Sequence, residues 1–305
     1  MSSTTALRNK NIQPAHLRRL PLFWRILSYL FLFVLVNLLA NLARVGLDAL
    51  GLPSPASRFA FTLTYITGVL GLTYVYRRSI DRKPWSGIAL PPLKGRIPQL
   101  ASGFALGVLA AGILFTYEYD AQWIQVVEAA SLTTAVPLLV DSLLLSAAFG
   151  LCEEICMRGY LFQNLGEDCP IWQATLITGL IFGAFHLLSV GFGVRGVTFF
   201  IFALMLNVFL VLTRLVTRSL WMAIGFHTAF DWAAINLGLG SVVLADQHLL
   251  RVERTINTSI EDLLGAVMVG LGVVLLMALV RRRKHLVGWR APLVDDSQPV
   301  ALSVK

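Results

Sequence analysis

The chain has 305 residues, of which 56% are hydrophobic and only 14% charged, with a mean hydropathy of +0.72. Soluble domains carry about 25% charged residues, so this chain lacks the polar surface to coat itself in water and reads as an integral membrane protein. Its net charge of +8 sits in clusters between apolar segments; that pattern is topological and argues against nucleic acid.

Residues 1–21 hold Arg8, Lys10, Arg18 and Arg19 with no acid, which predicts a cytoplasmic basic arm. Eight apolar segments follow, each approaching the roughly 20 residues a helix needs to cross the hydrocarbon core. The first span, about Trp24 to Ala43, is too long for a signal-peptide h-region and lacks a small-residue cleavage site, so it is expected to remain as a helix. Arg25 lies near its interface. Gly51-Leu52-Pro53-Ser54-Pro55 breaks the helical pattern before a second span, Phe59 to Tyr76.

The next loop carries Arg77, Arg78, Arg82, Lys83, Lys94 and Arg96 against Asp81 alone. It reads as a cytoplasmic topology signal, and secondarily as a contact for anionic lipid. A third span, Ile97 to Tyr117, leads to a loop at 118–132 with Glu118, Asp120 and Glu128 and no positive charge, expected outside. The fourth span runs from Thr133 to about Asn164, the fifth from Ile171 to Val190, the sixth from Val197 to Leu212 and the seventh from Leu220 to Leu237. A polar loop of mixed charge precedes the eighth, Ile260 to Val280, which Arg281-Arg282-Arg283-Lys284 stops. Eight spans place both termini in the cytoplasm of a multi-pass cell-membrane protein, with every strongly basic segment inside. The expected organisation is all-α: a single transmembrane helical domain over 22–285, a catalytic core at about 133–237, and a disordered cytoplasmic tail at 286–305.

Away from their ends, these spans hold few ionisable residues. They are Glu153, Glu154, Arg158, His186, His227 and Asp231, with Asp141 near the outer end of its helix and the polar Asn207 in the sixth. Charge at bilayer depth is costly and usually faces the bundle interior for a purpose. Glu154 and Arg158 are four apart and share a helix face, which allows an ion pair. Glu153 is turned about 100° away and is left over as the candidate base. A carboxylate beside a second negative charge, at partial burial, suits activation of water, and His186 can hold the same water. His227 and Asp231 are also four apart, so one cavity can receive both, and an orientated His227 can serve a developing oxyanion. Three cysteines (Cys152, Cys156, Cys169) make no paired framework and read as packing residues.

Glu153-Glu154-x-x-x-Arg158, then Phe182-x-x-x-His186, then His227-x-x-x-Asp231, with the run Arg218 to His227, resembles the three-motif signature of the CPBP family. That family groups type II CAAX prenyl endopeptidases with bacteriocin-processing and immunity proteins. The resemblance spans about residues 135–237. It implies a peptide-hydrolysing intramembrane protease with Glu153 as base, His186 assisting, His227 and position 231 at the oxyanion, and Glu154 with Arg158 structural or gating. Many relatives have asparagine where this chain has Asp231. An ionised aspartate cannot donate a hydrogen bond, so orientation of His227 is the role expected of it.

The favoured chemistry uses no cofactor. The alternative is zinc held by Glu153, His186 and His227, although no His-Glu-x-x-His helix is present. The expected partners are a peptide or protein substrate, prenylated or otherwise membrane-associated, and the lipid bilayer. Two other readings stand beside the protease: a non-catalytic scaffold or immunity protein of the same fold, and a proton-coupled transporter, for which the paired repeats with broken helices are missing.

Overall fold

The computed structural model describes residues 20–239 and 249–282; the basic arm (but for its last two residues) and the tail at 286–305 lie outside the described residues. Among the described residues, nine α-helices run in the order α1 Leu22–Ala49, α2 Ser54–Val75, α3 Ile97–Asp120, α4 Leu132–Glu154, α5 Phe162–Asp168, α6 Ile171–Val190, α7 Val194–Thr217, α8 Trp221–Asn236 and α9 Thr258–Arg282. Seven helical segments among the described residues are long and apolar enough to cross a membrane, with α4 and α5 joined into one stretch of 37 residues. The protein is an all-α polytopic membrane protein. The seventh expected span is α8, but it has 16 residues, about 24 Å at 1.5 Å per residue, short of the roughly 30 Å hydrocarbon core.

α8 is the buried centre. It packs most extensively on α3 and, on another face, on α4; α6 packs on α7, α7 on α9, and α1 on α2. Small residues let helix backbones approach within the membrane. A Cβ at Gly103 of α3 would lie 2.1 Å from the Met222 carbonyl oxygen, and one at Gly225 of α8 would lie 2.2 Å from the Leu100 carbonyl oxygen. On the other side, a Cβ at Gly150 of α4 would lie 2.5 Å from Thr228 Oγ1. Glycine at these three points allows one short helix to be clasped from two sides.

The basic loop after α2 departs from the sequence reading. The helix continues as a π turn, Tyr76–Ile80, and a 3-10 turn, Trp85–Ile88, follows. Arg78 and Arg82 are exposed, but Arg77 and Asp81 are buried. Arg25 is buried too, rather than interfacial: its Nη1 donates to Asp81 Oδ1 at 2.8 Å and to Asn164 Oδ1 at 3.1 Å. Tyr160 donates to the same Asp81 oxygen at 3.4 Å. The loop then docks under α8, where Leu220 N–H donates to the Ala89 carbonyl at 2.9 Å and Trp221 Nε1 donates to the Pro91 carbonyl at 2.8 Å. A buried cation needs a partner, and the lone acid of the loop supplies one.

A second departure lies at the opposite end of α3. The loop expected at 118–132 contains strand β1, Ile124–Ala129, which pairs antiparallel with β2, Leu250–Arg254, Ile124 opposite Arg254. Arg254 from this ribbon reaches Glu261 Oε2 at 2.5 Å and Glu118 Oε2 at 3.4 Å. Two short strands separated by over a hundred residues leave no local hairpin signal.

Gly103→Ala is predicted to force α3 and α8 apart and to cost about 1–3 kcal/mol or more, read as a lower unfolding temperature in detergent. Gly46 has no neighbour within reach of an added Cβ, so Gly46→Ala is expected to leave the transition in place.

Candidate active site

Glu153 and Glu154 close the last turn of α4, and the chain then widens into a π segment, Ile155–Leu161, before α5. Single π turns inside α-helices recur at functional sites because they re-aim side chains. Arg214 of α7 braces this one. Its guanidinium donates to the Arg158 carbonyl oxygen, donates to Gln163 Oε1 at 2.7 Å, and lies 4.9 Å over the Phe162 ring.

Glu154 and Arg158 are both fully buried, and Arg158 Nη1 donates to Glu154 Oε1 at 2.8 Å. The same oxygen lies 2.9 Å from His227 Nδ1. A carboxylate already accepting from a guanidinium is ionised and acceptor-only, so His227 Nδ1 carries the hydrogen. Arg158 also lies 4.4 Å over the Phe182 ring, a cation–π contact. The Glu154–Arg158 pair thereby ties its own helical stretch to α8 through the carboxylate and to α6 through the guanidinium.

The other nitrogen of His227 faces the remaining acids: Nε2 is 3.8 Å from Glu153 Oε2 and 3.5 Å from Asp231 Oδ2. The expectation had Asp231 orienting His227. The ring is fixed instead by donation from Nδ1 to Glu154, and Asp231 sits on the side of Nε2. His186 Nδ1 is 2.8 Å from the Phe182 carbonyl oxygen. A carbonyl only accepts, so Nδ1 bears hydrogen and Nε2 of the neutral ring is left as an acceptor.

Glu153, His186, His227 and Asp231 line one cavity of about 360 Å³. Its remaining walls are largely aromatic, with Phe149, Phe182 and Phe199 among them. The first half of the chain, which offers no motif, contributes Phe33, Asn37 and Tyr65. Asn37 was the available signal in the sequence, one of two carboxamides, with Asn41, in a largely apolar span.

Other polar residues of the spans lie elsewhere. Asp141 pairs with Arg58 at 2.7 Å, both partly exposed. Asn207 donates to the Thr175 carbonyl at 2.9 Å and joins α7 to α6. Cys152 and Cys156 are free and buried. Among the described residues no group of three or more His, Cys, Asp or Glu side chains is arranged to hold a metal ion. The zinc set of Glu153, His186 and His227 is not such a group as the side chains stand.

Against this geometry, residues 135–233 match the family model described as Type II CAAX prenyl endopeptidase Rce1-like. Over that stretch the chain is similar to the CAAX-endopeptidase branch of the CPBP family. The match covers about a third of the chain, from the start of α4 to near the end of α8, and all six ionisable residues of the site fall within it. No curated protein matches the chain by sequence. α1 and α2, outside the matched stretch, close one wall of the cavity.

Removing one partner of a buried pair strands a charge and costs about 3–5 kcal/mol. Arg158→Leu is therefore predicted to lower the unfolding temperature sharply, and Arg158→Leu with Glu154→Gln to recover part of that loss. Simple addition of the two single effects would contradict the pairing.

Proposed function

We propose that the protein is an intramembrane endopeptidase in which Glu153 activates the attacking water. The observation that carries this reading is the convergence of Glu153, His186 and His227 on one largely apolar cavity, with His227 held from behind by Glu154. Water in such a cavity is a poor nucleophile until a base takes its proton. Glu153 Oε2 is buried and makes no hydrogen bond within the protein, which suits an oxygen that engages water. His186, with its Nδ1 hydrogen committed to a backbone carbonyl, offers Nε2 to the same water.

In the proposed step the water oxygen bonds to the scissile carbonyl carbon as Glu153 takes one of its protons. The carbonyl oxygen becomes the oxyanion, and Nε2 of His227 donates to it. The C–N bond then breaks, and the proton held by Glu153 passes to the leaving amine. For this role His227 carries hydrogen on both nitrogens, and the carboxylates of Glu153 and Asp231 balance that charge. Asp231, as a carboxylate, does not donate to the oxyanion; it supports the imidazolium. Glu154 and Arg158 position the ring and do not touch substrate.

The substrate is a peptide segment that reaches the cavity from the bilayer or its cytoplasmic edge; a prenylated carboxyl-terminal segment is the substrate class that the family description suggests. The charge of the loops supports a site that opens toward the cytoplasmic face, with both termini on that side.

Membrane and secreted peptides are to be compared between cells carrying wild-type protein and Glu153→Gln at matched amounts. The expected result is a precursor that accumulates only in the variant, with cleavage reduced by about 10²–10⁴-fold. Equal peptide profiles, with a cellular effect that needs the protein but not Glu153, would replace the protease by a scaffold. Dialysis against a chelator is expected to leave cleavage intact; loss restored by zinc alone would instead move Glu153, His186 and His227 into a metal site.

A further inference from the structure

Hydrolysis consumes water, and the catalytic cavity lies inside an apolar bundle. A second, smaller chamber of about 80 Å³ lies beyond Asp231. Asp231, Phe199 and Phe202 line both spaces, so these three side chains form the partition between them. Two further carboxylates, Glu261 and Asp262 from the first turn of α9, line the far side of the chamber. Asp262 Oδ2 accepts from Thr198 Oγ1 at 3.0 Å, and Glu261 is held by Arg254 of the ribbon at 2.5 Å. The chamber thus runs from the ribbon end of the bundle, where charged residues gather, to the acid beside His227.

Its lining is mixed. Leu114, Phe230 and Ala234 are apolar, but carboxylates stand at both ends. The carboxylates at its ends suit bound water: a buried water needs two to four polar partners, and each takes roughly 30 Å³ of liquid volume. The chamber therefore accommodates about two waters between Asp231 and Asp262. We propose that it is a water reservoir that feeds the hydrolytic cavity past Asp231, from the end of the bundle opposite the basic loop. This rests on the protease reading for its purpose, but not for its hydration. It also gives position 231 a reason to be an aspartate, since an ionised carboxylate accepts from water on both sides of the partition.

Two measurements test it. First, Ala234→Leu fills the chamber from a wall that lines neither the catalytic cavity nor the space around Glu153, His186 and His227. A fall of tenfold or more in kcat with KM unchanged is expected, while Gly272→Ala, in a separate apolar crevice where an added Cβ makes only ordinary contact at 3.6 Å, leaves both constants unchanged. An active wild type with unchanged kcat in Ala234→Leu would overturn the reservoir and leave the protease reading standing. Second, Ala234→Cys, in a background with alanine at Cys152, Cys156 and Cys169, is exposed to silver ion and then alkylated after denaturation. Silver is expected to protect the thiol, because it arrives through water. An unprotected thiol would overturn the reservoir whether or not the protein cleaves anything, whereas a wild type without Glu153-dependent cleavage would defeat only the protease reading.

Discussion

A single buried oxygen, Oε1 of Glu154, sets the arrangement on which the rest of the site depends. It accepts from Arg158 at 2.8 Å and from His227 at 2.9 Å, so it joins the π segment after α4 to the centre of α8. Ionised carboxylates are expensive inside a bilayer. This one is compensated by a guanidinium that is itself buried and stacked on Phe182. The consequence is directional. With Nδ1 of His227 fixed from behind, Nε2 is aimed at the space between Glu153 and Asp231, and adjacent glutamates acquire different tasks from their neighbours alone.

The fold is arranged to keep that oxygen in place. α8 is too short to cross the bilayer by itself and is clasped between α3 and α4, where glycines bring the backbones together. Arg214 braces the π segment from α7 by engaging the Arg158 carbonyl. Below it, the docked loop with Arg25, Asp81 and Tyr160 ties the start of α1 to the same segment. The last two supports use charged groups in an apolar setting, each with a partner across a helix boundary.

Much of this was legible in the sequence, for identifiable reasons. Hydropathy placed the helices because a bilayer demands long apolar runs, and Ile171–Val190 was read to its end residues. The spacing of four between Glu154 and Arg158, and between His227 and Asp231, put each pair on one face because the helix repeat is local. What escaped depended on contacts between distant segments. The charges of the basic loop read as a topology signal, and their pairing is not local: Arg77 and Asp81 turn inward with Arg25, more than fifty residues away. The partner that fixes His227 was taken to be Asp231, the neighbour on its own helix, whereas the bond comes from Glu154 across the bundle. The π turn left no periodic signal, and the ribbon joins residues over a hundred positions apart. Asn37 and Tyr65 reach the cavity only because α1 and α2 fold against α4 and α6.

The central claim is that the charge of Glu154 orders His227 for chemistry and does more than hold the bundle together. Single-turnover cleavage of the accumulated precursor by purified Glu154→Gln in liposomes, below its own measured unfolding temperature, tests this most directly. The glutamine keeps an oxygen for His227 but removes the charge that Arg158 and the imidazolium share. The account predicts a folded protein that binds the precursor and cleaves it about 10²-fold or more slowly, in line with the loss of one electrostatic element of an active site. A wild-type cleavage rate with only a lowered unfolding temperature would contradict it and make the pair a scaffold.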